Sequence, residues 1–149
     1  RLRCDWSSDV CSSDLKGRGY EIVGFAWWQG DKDRYNAGHA SRYEKNLVHL
    51  IETLRKEFKA PKAKFVVATL GQTAKDSAEE NEKLILDAQL AVDGEAGKYP
   101  EFKGNVSTVY THPLSQGGAS NSHYDGNAQT YMDVGLAMGG AMLKLLEGK

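Results

Sequence analysis

No apolar run in this 149-residue chain approaches the roughly 18 to 20 residues that crossing a bilayer requires, so no membrane-spanning helix is expected. Charge of one sign is lacking too: 19 Lys and Arg stand against 20 Asp and Glu, spread along the chain for a net −1. Without a basic stripe nothing is laid out to hold a phosphate backbone, and nucleic acid is not expected as a partner. Cysteine is confined to Cys4 and Cys11, so residues 16–149 carry no thiol or disulfide to report their redox compartment. No group of His, Cys, Asp and Glu has metal-ligand spacing, and no glycine-rich phosphate loop follows a strand. Neither a metal nor a cofactor is expected. What remains, 40% hydrophobic and 26% charged, is the composition of one ordinary globular domain large enough to bury a core.

The first fifteen residues stand apart from the rest. Asp5-Trp6-Ser7-Ser8-Asp9-Val10-Cys11-Ser12-Ser13-Asp14-Leu15 agrees, codon for codon, with a widely used sequencing-library adapter translated in frame. Residues 1–15 are therefore expected to be foreign and are set aside from fold reasoning. With them go both cysteines, two of the nineteen basic residues and three of the twenty acidic ones, leaving a neutral body with seventeen of each. The natural N-terminus, any signal peptide and a first strand and loop are expected upstream of Lys16, so that residues 16–149 form the C-terminal portion of a larger domain.

From Lys16 onward strand-like and helix-like segments alternate, the pattern of an α/β domain with a parallel sheet. The apolar run Glu21 to Trp28 reads as a fully buried first strand. Leu47, Leu50, Ile51, Leu54 and Phe58 recur at helical spacing and predict a helix over 42–58, with Pro61 just past its end. Lys64 to Leu70 is a second strand, 79–92 a second helix carrying Leu84, Ile85, Ala88, Ala91 and Val92, and Asn105 to Thr111 a third strand closed by His112-Pro113. The last helix follows Asp125-Gly126-Asn127, with Tyr131, Val134, Met138, Met142 and Leu145 on one apolar face and Gly135, Gly139 and Gly140 expected to let it approach the sheet. Three strand–helix units make half of a doubly wound sandwich. A sheet so cut is expected to leave an open edge and an uncovered helix face.

Open α/β sheets place ligands outside the carboxyl ends of their strands, which draws attention to Trp28-Gln29-Gly30-Asp31 after the first strand. His123 lies in a small-residue loop before the last helix, after the end of the third strand, and histidine titrates nearest neutral pH, as a general base requires. Of the other histidines, His49 reads as structural, His39, in the loop after the first strand, could touch a ligand, and His112 ends a strand without an assigned role. One of Trp27 and Trp28 is expected to present its ring to a ligand while the other joins the core. Asp125 reads as the cap of the last helix.

Gly24-Phe25-Ala26-Trp27-Trp28-Gln29-Gly30-Asp31-Lys32-Asp33, together with Ser122-His123-Tyr124, resembles the sialate O-acetylesterase and acetylxylan-esterase branch of the SGNH hydrolases, over about residues 20–146. The resemblance implies a flavodoxin-like three-layer α/β/α sandwich, no metal or cofactor, and an acetylated carbohydrate as substrate. In that family a serine at the end of the first strand attacks an acetyl ester, a histidine near the C-terminus takes its proton, and polar groups complete the oxyanion hole. Carried over, His123 matches the histidine, Gln29 the glutamine lining the oxyanion site and Gly30 its turn, while Asp31 stands where many members have Glu.

Two departures accompany the match. The glycine-flanked nucleophilic serine has no counterpart: Ser7, Ser8, Ser12 and Ser13 fall in the adapter stretch, and Ser41, Ser77, Ser107, Ser115, Ser120 and Ser122 lack that setting. The fragment itself is therefore expected to be a poor esterase. Many members also place an aspartate three residues before the histidine, where this chain has Ser120; Asp31, Asp33 and Asp125 are the other candidates for the orienting acid, with Asp31 favoured. Two further readings stand beside the esterase: a carbohydrate-binding or scaffold domain that kept the fold without its chemistry, and a flavodoxin-like cofactor protein. Enzymes that act on polysaccharide work outside the cytoplasm, so the resemblance implies a secreted or periplasmic parent.

Overall fold

The computed structural model describes residues 21–78, 80–118 and 120–148; residues 1–15, the adapter-like stretch, lie outside them. Three parallel strands form one sheet in the order β1 (Gly24–Trp28), β2 (Lys64–Ala68), β3 (Val106–Val109). Register runs from Gly24 opposite Lys64 to Trp28 opposite Ala68, and from Phe65 opposite Val106 to Ala68 opposite Val109. A short helix α1 (Ala37–Ala40) and the long α2 (Tyr43–Glu57) connect β1 to β2; α3 (Glu80–Ala91) connects β2 to β3; α4 (Ala128–Glu147) follows β3. The alternation expected from sequence is present, and the chain is an α/β fold of the flavodoxin-like sandwich kind.

The pleat decides which residues meet which helix, because successive side chains point to opposite faces. Phe65 and Val67 of β2 join Leu47 and Ile51 of α2 and Ile85, Ala88 and Val92 in and after α3 in one buried cluster. Val66 and Ala68 are equally buried but stand outside that cluster, on the face that α4 covers by packing on β2 and β3. The two faces make three layers.

Several expectations need correcting. β1 is an edge strand rather than a fully buried one, and Ala26 is exposed, because α4 sits over β2 and β3 and reaches β1 only at its ends. The glycines of α4 do not approach the sheet: Cβ atoms at Gly135, Gly139 and Gly140 would meet nothing within 4 Å. The close approach is Gly24, where a Cβ would sit 2.6 Å from the Met142 side chain. Leu84 and Phe58 are exposed, whereas Gln89, which apolar periodicity passed over, is fully buried. The cap of α4 is Asn127, whose side chain accepts from the Thr130 N–H, and not Asp125.

Beyond the last ladder pairs, side chains continue the hydrogen bonding that the backbones no longer make. Thr111 donates its N–H to Thr69 Oγ1 at 3.0 Å and its hydroxyl to the Thr69 carbonyl at 2.6 Å, tying β3 to β2. Trp28 Nε1 donates to the same carbonyl at 3.1 Å, tying β1 to β2. The carboxyl ends of all three strands are thus fixed by buried polar contacts, as a ligand-bearing edge requires.

Candidate active site

A cavity of about 750 Å³ opens at those strand ends. Trp28, Gln29, Gly30, Asp31 and Lys32 line one side, Leu70 its floor, Tyr35 its rim, and His123, Tyr124 and Tyr131 the other side. The residues singled out from sequence after β1 and before α4 therefore share one space.

Gln29 is held at every polar atom but one. Its carbonyl accepts from the Tyr43 hydroxyl at 2.7 Å and from Gln89 Nε2 at 2.8 Å. Its side-chain Nε2 donates to Asp33 Oδ2 at 2.6 Å, and Oε1 lies 3.3 Å from the Tyr43 hydroxyl. An amide nitrogen carries two N–H groups, and Asp33 takes only one of Nε2's. Burial raises the pKa of Tyr43, with the bond from Gln89 opposing, so its phenol stays a neutral donor. Gly30 follows with φ of 139°, a region closed to L side chains, and a Cβ there would meet Ile85 at 3.0 Å.

Asp31 shares the cavity with His123, and its Oδ1 accepts from Arg34 Nε at 2.9 Å and from Gln72 Nε2 at 3.3 Å. Arg34 also pairs with Glu82 and stacks over Tyr35. Burial works against the Arg34 charge, yet Asp31, Glu82 and Tyr35 together hold its pKa above the usual guanidinium value. Asp31 is thereby fixed in position.

The opposite side hangs on Tyr124. This residue is buried, its ring stacks on Trp28 with centroids 5.7 Å apart, and Tyr131 of α4 meets both rings edge-on. Its hydroxyl accepts from the Gly71 N–H at 3.1 Å, while the Gly71 carbonyl accepts from His112 Nδ1 at 2.7 Å. Burial is the main cause of the raised Tyr124 pKa. His123, Tyr124 and Asp125 all have φ of 52°, the left-handed region that ordinary residues avoid. Such a run persists only where its surroundings over-determine it; here the Tyr124 contacts and the bond from the Tyr131 hydroxyl to the His123 carbonyl do so. The His123 ring is left exposed at the cavity mouth.

Trp27 packs on the core while Trp28 faces the cavity. His49 is exposed on α2 against Thr53, and His39 sits on α1 away from the cavity. Asp33 serves Gln29. No serine lines the cavity among the described residues, and the Ser120 side chain lies outside them. Nor do the described residues contain a cluster of three metal-ligating side chains or a helix long and apolar enough to cross a membrane. Tyr43, Gln89 and His112 are the contributors that sequence reasoning missed. The signal for Gln89 was a polar residue on the buried stripe of α3, and the signal for His112 was its place at a strand end.

A family model described as carbohydrate esterase, sialic acid-specific acetylesterase, matches residues 9–144, beginning inside the adapter-like stretch. A crystal structure of a protein from Arabidopsis thaliana is similar over 89% of this chain and 48% of its own, with a TM-score of 0.59 and 20% sequence identity. That likeness carries the fold, and the chain spans about half the length of that structure. No curated protein matches the chain.

Proposed function

The chain belongs to the carbohydrate esterase family of sialic acid-specific acetylesterases, and from that premise we propose that its parent protein is a serine esterase that removes acetyl groups from carbohydrate. The observation that carries this reading is the meeting of Gln29 and His123, distant in sequence, in one cavity at the carboxyl ends of the strands. In this reading residues 1–15 are adapter-derived, residues 16–149 are the C-terminal portion of the domain, and the nucleophile is a serine supplied from upstream.

The serine oxygen attacks the acetyl carbonyl as His123 takes its proton; the carbonyl electron pair moves to oxygen and is met by the free N–H of the Gln29 amide. Collapse breaks the bond to the sugar oxygen, which recovers the proton from His123. Water then attacks the acetyl-serine by the same route, releasing acetate and restoring the serine. Asp31 orients the imidazole, and Trp28 offers ring surface to the sugar. The parent acts outside the cytoplasm, secreted or periplasmic, where acetylated polysaccharide is found.

Full-length protein should hydrolyse a chromogenic acetate ester and an O-acetylated sugar. His123→Ala should cut kcat by roughly 10²- to 10⁴-fold, the usual worth of a general base, and an active His123→Ala variant would end the assignment. The 149-residue chain should be blank in the same assay; robust turnover would place a nucleophile within residues 16–149. Sugar binding by the full-length protein without hydrolysis would favour a carbohydrate-binding domain instead.

A further inference from the structure

We propose that Gln89 is a positioning residue which, by holding the Gln29 carbonyl, turns the Gly30 N–H outward as a second donor to the developing oxyanion; this rests on the esterase reading of the same cavity. Gln89 lies on α3, fully buried among Ile85, Ala88 and Val92. A polar amide in such a layer is costly unless both its ends are bonded, and here both are. Nε2 donates to the Gln29 carbonyl at 2.8 Å, and Oε1 accepts from the Leu70 N–H at 3.2 Å.

Those two partners lie where the β1–β2 ladder has ended, beyond the last pair of Trp28 with Ala68. The cavity begins there, and Gln29 and Leu70 both line it. The Gln89 amide spans the opening that peptide-to-peptide bonds no longer close. It fixes the separation of the strand ends at the point where the cavity begins.

A planar trans peptide carries its C=O and the following N–H on opposite sides. The Gln29 carbonyl is drawn into the α3 side by Gln89 and Tyr43, so the Gly30 N–H is turned away from that layer. Gly30 lines the cavity, and its N–H makes no hydrogen bond among the described residues. With the free N–H of the Gln29 side chain it gives two adjacent donors, the arrangement that stabilises charge on a carbonyl oxygen.

The test is Gln89→Met, which keeps the length and removes both bonds, beside Gln89→Asn, which keeps the amide but is one methylene too short, each in the full-length protein. Expected are a fall in kcat of roughly tenfold to a hundredfold, the scale of a small misplacement of a donor, and a KM changed by less than about twofold. An unchanged kcat in a folded variant, or a raised KM at unchanged kcat, would overturn the proposal; should Gln89→Met fail to fold, Gln89→Asn decides on the same criteria. An inactive unmodified protein would remove the esterase reading instead. The clamp would then be judged by amide exchange in the 149-residue chain, where Gln89→Met should speed exchange at Leu70 by roughly tenfold or more while sparing Ile51; equal rates would overturn it.

Discussion

The two faces of the sheet are built to different standards, and the candidate site straddles them. On one face α2 and α3 enclose a continuous core in which Ile51, Phe65, Ile85 and Val92 are fully buried. On the other, α4 alone packs on the sheet, over β2 and β3. It buries Thr130, Val134 and Leu145 but leaves Met132, Leu136, Leu143 and Leu146 exposed at 61, 69, 60 and 45%. Gln29 is held from the closed face by Tyr43 and Gln89; the His123 loop is held from the half-covered face by Tyr124 and Tyr131. The Gln29 side of the cavity thus rests on the finished layer and the His123 side on the unfinished one.

The largest expected difference between the faces is in packing. Ile51→Ala removes a fully buried side chain from a layer that cannot collapse around the gap, and should destabilise by about 2–5 kcal/mol. Urea unfolding with circular dichroism measures it. A cost below about 1 kcal/mol would mean that the closed face is no better packed than the other.

The next difference lies in redundancy. The Gln29 carbonyl has two donors, so Tyr43→Phe leaves it bonded to Gln89 and should cost under about 1 kcal/mol. The buried Gly71 N–H has Tyr124 as its acceptor, so Tyr124→Phe strands it and should cost about 1–3 kcal/mol. Equal costs would erase the contrast. Burial raises both phenol pKa values, so the folded state favours the neutral forms. The sign follows: this contribution is fully present below the ordinary tyrosine pKa of about 10 and is lost as pH rises through the higher folded values. Absorbance at the tyrosinate band, followed alongside unfolding, should show these two phenols ionising together with loss of structure.

How much was legible in sequence follows the same division. Strand and helix identities were readable because β-branched runs and the Leu47, Ile51 stripe carry strong periods. The gathering of Trp28, Gln29, Asp31 and His123 could be anticipated, since strand ends in a parallel sheet converge. The clamps could not: Gln89 shows only as a polar residue on the buried stripe of α3 until its two backbone partners are known, and the bond between Asp33 and Gln29 has no signal in the sequence. The direction of the α4 glycines failed for a related reason. The apolar stripe read from sequence does meet the sheet through Val134 and Leu145, but in a helix that is apolar nearly all round the glycines fall on its other faces.

The smallest effect on stability comes from that second stripe. Met132, Leu136, Gly139 and Leu143 fall at helical spacing on one side of α4, and Met132, Leu136 and Leu143 are exposed there. Their side chains are largely in water already, so Leu136→Lys with Leu143→Lys removes little buried area and should change the unfolding free energy by no more than about 0.5 kcal/mol. The same pair of changes should act strongly on association, because an exposed apolar helix face favours contact between chains. Light scattering across a concentration series should therefore separate the two quantities: self-association reduced, stability unmoved. A large loss of stability would instead place this stripe inside the fold and make the two faces alike.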